Sequence, residues 1–437
     1  MSDRTVLVFG GGPAGMAAAI AAAAGGARVI LTEKTDRTGR KLSMTGNGRG
    51  NLTNRHLLPE AYSSEDPARI APLALRVTAG QLEAFFVYTG LRTRAEGTAV
   101  YPLSGQASGV VTVLDAACRR LGVTLRTGSQ LKRIEAEGDG FRCVCSDGEV
   151  RGDAVILATG GIAGPASCRA TGDAYYICEQ LGIACAPRRP ALVPLTAGER
   201  ILPGENGVRA RAAVSFYTFP AGAELPEKEG EGDYLTGEYG EVQFAGEVLS
   251  GIPVLQASGA VGRALGEGRQ VMAYIDLCPE YSAAEWAECR NKLEETADGD
   301  PETGALALLS GIAHDAVNRA ILQRLGAGDP DRIRMADLDA GARERLWACY
   351  RAFPVRITGV CGPDRAQVTA GGVRLTEVDD DLQVRRIPGL YIAGELLDID
   401  GRCGGYNLHW AFASGLMAGT HAATGRRFSG RIGDAQD

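Results

Sequence analysis

Gly10, Gly12 and Gly15 stand in the spacing GxGxxG, and those residue types suit one task above others: bringing backbone amides close to a pyrophosphate. Gly10 permits a tight turn, Gly12 lets the backbone approach the ligand, and Gly15 lets a helix lie close to a strand. The setting is the required one. The apolar run Thr5–Phe9 reads as a buried parallel strand, Pro13 and Ala14 lead through the motif, and an Ala-rich helix is predicted over Met16–Ala24, ended by Gly25-Gly26. A second strand over Ala27–Thr32 closes at Glu33 and Lys34, at the adenosine end; the Glu33 carboxylate suits ribose hydroxyls and repels a 2′-phosphate. Near the other end of the chain, Gly389-Leu-Tyr-Ile-Ala-Gly394-Glu395 again runs from strand into glycine, and Gly404, Gly405, Tyr406 and Asn407 open a second small-residue helix. Two strand–glycine–helix units returning to one ligand imply a long, two-ended one: FAD, held non-covalently.

Between these ends, Thr38–Asn54 is too polar and glycine-rich for a core element. It is expected to wrap the cofactor, with Arg40, Lys41, Thr45, Gly46, Asn47, Gly48, Arg49 and Asn51 near the phosphates; a plain solvated loop is the alternative. Ala154–Ala158 reads as another buried strand, and Thr159, Gly160 and Gly161 after it let the chain pass the pyrophosphate edge. Glu395 is placed at the ribityl hydroxyls. The helix start at 404–407 directs partial positive charge at the flavin ring, where negative charge gathers on reduction. Its face Ala411, Ser414, Gly415, Ala418 is nearly bare and suits tight packing. Arg402, Tyr406 and His409 are the candidates to polarise or protonate a substrate, His409 by its pKa class; a histidine near a helix start also commonly serves structure.

The fold class is α/β: a discontinuous FAD domain over 1–187 and 363–437, interrupted by an insert over 188–362. Within the insert, β-rich character covers about 188–280 and 341–362, with strands at 211–219, 240–244 and 271–276; helices cover about 281–340. Helical spacing recurs over Gly341–Phe353, Trp286 reads as core, and Pro220–Asp233 reads as a solvated acidic loop. In the first half, helices are expected over Gln81–Gly90 and Ala107–Leu121. No second GxGxxG follows a strand in the insert, so a dedicated nicotinamide-nucleotide domain is missing.

Composition narrows the partners. The 46 basic and 53 acidic side chains give a net charge of −7, and no aromatic residue is interleaved among Arg37, Arg40, Lys41, Arg49 and Arg55 for base stacking, so nucleic acid is not the expected partner. Met16–Ala24 is too short to span a bilayer and the first residues lack the order of a secretory signal, which points to a cytoplasmic protein with no membrane partner. The 11 cysteines are dispersed and the 4 histidines show no ligand spacing, so no metal is expected. The 60 glycines, about twice the average share of roughly 7%, fit a nucleotide site with many close backbone approaches. Oligomeric state is not legible.

From end to end the chain resembles the bacterial BaiN-like, aminoacetone-oxidase-like family of FAD-dependent oxidoreductases. The resemblance rests on Gly10–Gly15, Gly39–Asn54, Ala158–Gly161, Val368-Thr-Ala-Gly-Gly-Val373 and Ala393-Gly394-Glu395 through Asn407. It implies an FAD domain of glutathione-reductase type, interrupted by an insert with a small β-barrel-like part and a helical part. Two departures remove roles that could otherwise be carried over: Gly50 stands where the family usually has cysteine, and Gly240–Gly246 lacks the family's frequent histidine. The expected function is hydride transfer through the flavin N5 atom, with NAD(P)H as transient donor and an activated, enone-type C=C of a small molecule as acceptor. Oxidation of a small amine by O2 is the runner-up. An RNA-modifying or non-catalytic flavin-binding protein is the reading of another class.

Overall fold

The structure, a computed structural model, describes residues 4–202, 206–226 and 228–432. It divides into two compact units, Met1–Ala191 with Pro363–Asp437 and Leu192–Gly362, against boundaries read from the sequence at 187/188 and 362/363.

The first unit is built on a five-stranded parallel sheet in the order Leu390–Ile392, Ala154–Leu157, Thr5–Phe9, Arg28–Glu33, Thr124–Thr127. Its central strands are apolar throughout, with Val6, Leu7, Val8, Val155 and Ile156 all 0% exposed, as a parallel sheet covered on both faces requires. The first helix runs Pro13–Ala24, three residues earlier than the predicted start. Pro13 has no N–H to leave unpaired and its φ is already helical, so Ala14 and Gly15 belong to the helix and not to the loop. The second strand likewise shifts to Arg28–Glu33. Ala79–Thr89 is opened by a reciprocal capping box between Thr78 and Gln81 and stopped by Gly90 at φ +99°. The last helix, Tyr406–Thr424, lies on the first: a Cβ at Gly415 would come within 2.2 Å of Ala14 O, and one at Gly419 within 2.3 Å of Ala18 O. That backbone-to-backbone approach is what brings the two distant helix starts to one end of one sheet.

The second unit holds a closed six-stranded barrel, in the order Leu195–Ala197, Val248–Gly251, Asp233–Ala245, Asn206–Phe219, Gln270–Asp276, Phe353–Val360, the last pairing back to the first. Alternation fills it, with Val208, Ala212, Val214 and Phe216 buried from a single strand. The strands are longer than the sequence reading gave, and the helix Ile252–Gly266 has no counterpart in it. The helical stretch expected to reach Phe353 stops at Arg351, and Phe353 begins a barrel strand because Pro354 drives the residue before it into extended backbone. Trp286 packs among Trp347 and Tyr350 at ring-centroid distances of 6.2 and 5.8 Å and is 8% exposed, a core residue that also borders a cavity of about 180 Å³ with Tyr281, Cys278 and Cys289. Among the described residues no single helix is long and apolar enough to cross a membrane.

Candidate functional site

The glycines of the N-terminal motif are required for two different reasons. At Gly10, φ is +107° and a Cβ would lie 2.3 Å from Ala158 O; at Gly15 it would lie 1.8 Å from Gly10 O. No side chain fits either position. At Gly12 nothing lies within 4 Å, so no internal contact demands a glycine there. Gly12 caps the first helix without a side-chain hydrogen bond, and the first turn carries no acid, which leaves its amides and its partial positive charge facing that open space. Gly160 at φ +74° also borders open space, and the buried Thr159 Oγ1 has no hydrogen-bond partner among the described residues. An open glycine cradle, an uncapped helix start and an orphaned hydroxyl together fit the pyrophosphate of a dinucleotide.

Glu33 ends the second strand beside this cradle. Its Oε2 accepts the Gly11 N–H at 2.7 Å and its Oε1 accepts the Thr35 N–H and hydroxyl, both at 2.8 Å, which fixes the carboxylate at the end of its strand. Lys34 is taken up by Asp173 at 2.7 Å.

At the other end, Gly394 at φ +74° sits against Ala14, its N–H donating to Ser414 Oγ at 2.8 Å and its carbonyl accepting from Trp410 Nε1 at 3.2 Å. Glu395 accepts from Lys41 Nζ at 2.6 Å and from Thr369 N at 3.0 Å. The last helix opens under Gly404 and Gly405 at φ +120° and +97°, with no side-chain cap and no acid in its first turn. It is thus a second uncapped helix start. A Cβ on Gly405 would meet Thr53 O and the Asn51 side-chain amide, both at 2.6 Å. Asn54 Nδ2 donates to Gly404 O at 2.9 Å, and Asn51, in the amide orientation that satisfies both neighbours, accepts the Gly405 N–H at 3.2 Å and donates to Thr53 O at 3.1 Å. Asn407 bonds back to its own loop, accepting the Gly401 N–H at 2.8 Å and donating to Gly401 O at 2.6 Å.

The cations of the glycine-rich loop are held by acids: Arg40 by Asp36, Lys41 by Glu395, and Arg49 by Glu96 while its guanidinium stacks 4.4 Å over Tyr101. Gly46, Asn47 and Gly48 take left-handed backbone and Thr45 Oγ1 donates to Leu42 O, so this stretch is a chain of tight turns with Leu42 buried beneath it.

Of the three catalytic candidates, Arg402 is exposed on the loop before the helix, its N–H donating to Ala61 O at 2.8 Å. Tyr406 is half-buried and donates to His56 O at 3.0 Å; burial raises its pKa and Arg402 pulls the other way, so the hydroxyl keeps its proton. His409 is the correction. It is 0% exposed, both ring nitrogens are engaged by Thr53 Oγ1 and Val77 O, and burial pushes its pKa down to about 4, so its ring meets no open space and stays neutral, without a second proton to give up, near neutral pH. The structural alternative is the one its surroundings support.

Three contributors had no role assigned by the sequence reading, although Thr53 and Thr369 lie in stretches it singled out. Thr369, 0% exposed, accepts the Ile162 and Ala163 N–H groups at 2.8 and 3.1 Å and ties the Gly160 loop to Glu395. Asp398 is buried, its pKa raised by burial, and holds Ser64 and Glu65. Thr53 joins the glycine-rich loop to the last helix. None has a local signal, since each partner lies far along the chain.

Comparison with known proteins bears on the same span. A family model described as the HI0933-like protein Rossmann domain matches residues 4–421. The 3-dehydro-bile acid delta(4,6)-reductase of Clostridium scindens is 34% identical over 426 residues, covering 95% of this chain and 98% of that protein. A ribosomal RNA dihydrouridine synthase of Escherichia coli is 28% identical over 417 residues, covering 95% and 96%. Among solved structures, the 3-ketosteroid delta1-dehydrogenase of Sterolibacterium denitrificans overlays with a TM-score of 0.48 at 15% identity, covering 97% of this chain and 100% of that one.

Proposed function

The chain belongs to the HI0933-like Rossmann-domain family and is an FAD-dependent oxidoreductase, and from that premise we propose that it saturates a carbon–carbon double bond conjugated to a carbonyl in a small molecule, with NAD(P)H as the source of hydride. When bound, FAD supplies hydride transfer through its N5 atom. The chain's part is to hold and to polarise. Gly12, the amides of the first helix and Thr159 Oγ1 would receive the pyrophosphate, Glu33 the adenosine ribose, and Glu395 the ribityl chain. The uncapped, acid-free start of the last helix carries the reading: it is a fixed source of partial positive charge at the ring end of the site. Tyr406 Oη, which keeps its proton, would turn from His56 O to a substrate carbonyl oxygen, with Arg402 beside it to stabilise the negative charge that hydride addition leaves there.

Both relatives support the reaction class. Their names describe one operation, saturation of a double bond conjugated to a carbonyl, in a 3-dehydro bile acid in one case and in the uracil ring of ribosomal RNA in the other. RNA is the second reading, favoured by the second relative and opposed by the paired cations in and just after the glycine-rich loop: Arg40, Lys41, Arg49 and Arg55 each pair with an acid. Anaerobic titration decides. Flavin bleached by NADH or NADPH and recoloured by a 3-oxo-4-ene steroid acid supports the proposal. Recolouring only by uridine-containing RNA, with binding that weakens steeply with salt, supports the second reading; bleaching by a small amine alone contradicts both.

A further inference from the structure

We propose that His409 is a positioning residue, whose neutral ring fixes the Asn51–Asn54 segment against Gly404 and Gly405 and so sets where the amide-bearing start of the last helix lies. The inference rests on reading that helix start as the flavin-ring end of the FAD site. A backbone carbonyl can only accept, so the 2.9 Å contact to Val77 O puts the ring proton on His409 Nε2. Nδ1 is then bare, and it accepts the Thr53 hydroxyl proton at 2.7 Å. The ring therefore ties two segments to the helix's first turn: the strand Thr53–Asn54 and the Val77 turn before the helix Ala79–Thr89.

The consequence reaches the glycine pair by short steps. Thr53 O accepts the Asn51 amide at 3.1 Å, Asn51 accepts the Gly405 N–H at 3.2 Å, and Asn54 Nδ2 donates to Gly404 O at 2.9 Å. Gly405 has no slack against this segment, since even a Cβ would lie 2.6 Å from Thr53 O. A displacement of Thr53 must therefore move the helix start or break its bonds. A protonated ring could no longer accept the Thr53 hydroxyl proton at Nδ1 and would set a positive charge against the positive end of the helix, so the neutral tautomer is part of the device.

Three variants test this. Thr53→Val removes one hydroxyl at nearly constant volume, His409→Leu removes both bonds of the ring, and His409→Gln returns one donor and one acceptor. The readouts are FAD affinity of the apoprotein by fluorescence titration and the flavin midpoint potential by dye equilibration. Thr53→Val and His409→Leu are expected to disfavour the reduced flavin by about tenfold in the two-electron equilibrium, about 30 mV, with His409→Gln recovering most of it. If His409→Leu does not fold, Thr53→Val carries the test. Wild-type potential and affinity in Thr53→Val, or a His409→Gln variant as far from wild type as His409→Leu, overturns the inference while leaving the FAD site standing. A wild-type chain that takes up no FAD overturns the site and the inference together.

Discussion

The two uncapped helix starts, which we propose to frame the cofactor, are fixed by opposite means. The first is set mainly by its own turn and by backbone: Gly15 meets Gly10 O within six residues of sequence, and the one distant neighbour, Ala158 at the end of the adjacent strand, meets Gly10 through its carbonyl. The last is set from afar, by Asn51, Thr53, Asn54 and His56, the bonds from Asn54 and Tyr406 spanning 350 residues of chain. A start built locally must announce itself as a motif, because backbone contact leaves glycine as the only choice. A start clamped by distant side chains announces only its glycines, and the clamp stays silent until the chain folds.

The contrast can be broken by substitution, and the largest effect is expected where it is purely backbone. Gly15→Ala would put a methyl 1.8 Å from Gly10 O with neither atom free to move; a loss of roughly 4 kcal/mol or more in denaturant unfolding, with no FAD retained, is the expected outcome. Wild-type stability there would deny that the turn is sterically closed.

Acid sharpens the other side. The His409 pKa is lowered from 6.5 to about 4, so the unfolded chain binds the proton more readily than the folded one. The neutral ring's contribution is complete above the unfolded value and is lost as pH falls from there through about 4, a span worth about 3 kcal/mol at most. Denaturant midpoints across that window should fall more steeply for wild type than for His409→Gln; parallel curves would place the ring in a wetter setting than the structure gives it.

A smaller loss, about 2 kcal/mol, is expected for Gly415→Ala, where a methyl 2.2 Å from Ala14 O can be met by a slight parting of the two helices. FAD affinity should fall with it, since the two starts separate. Gly12→Ala is the smallest in stability and the most telling in function. Its φ of −79° suits alanine and its surroundings are open, so the apoprotein should unfold within about 0.5 kcal/mol of wild type while FAD affinity drops at least tenfold. Equal losses in both measurements would mean that Gly12 serves the fold and not a ligand.

What the sequence made legible follows the same division. Thr5–Phe9, Gly10–Gly15 and Glu33 could be read in place because strand, turn, helix and acid are contiguous, and the bare face of Ala411, Ser414, Gly415 and Ala418 could be read as tight packing, although not its partner. The first helix began three residues early because a fingerprint looks like loop while Pro13 is already a helix residue. His409 was open to a catalytic role because residue type speaks of pKa class and not of burial, and Lys41 and Glu395, 354 residues apart, gave no sign that they would meet. In the barrel unit the alternating strands were visible, but Ile252–Gly266 was not, since Pro253 and its glycines read as breakers without the packing that overrides them.

We propose that both helix starts serve one bound dinucleotide. Reconstitution of the purified chain with FAD, followed by removal of unbound flavin and a flavin-to-protein ratio from absorbance, tests it most directly. One FAD retained per wild-type chain, with retention lost in Gly12→Ala and reduced in Thr53→Val, is the result expected. A chain that stays colourless, or one that keeps its flavin undiminished in both variants, would contradict it.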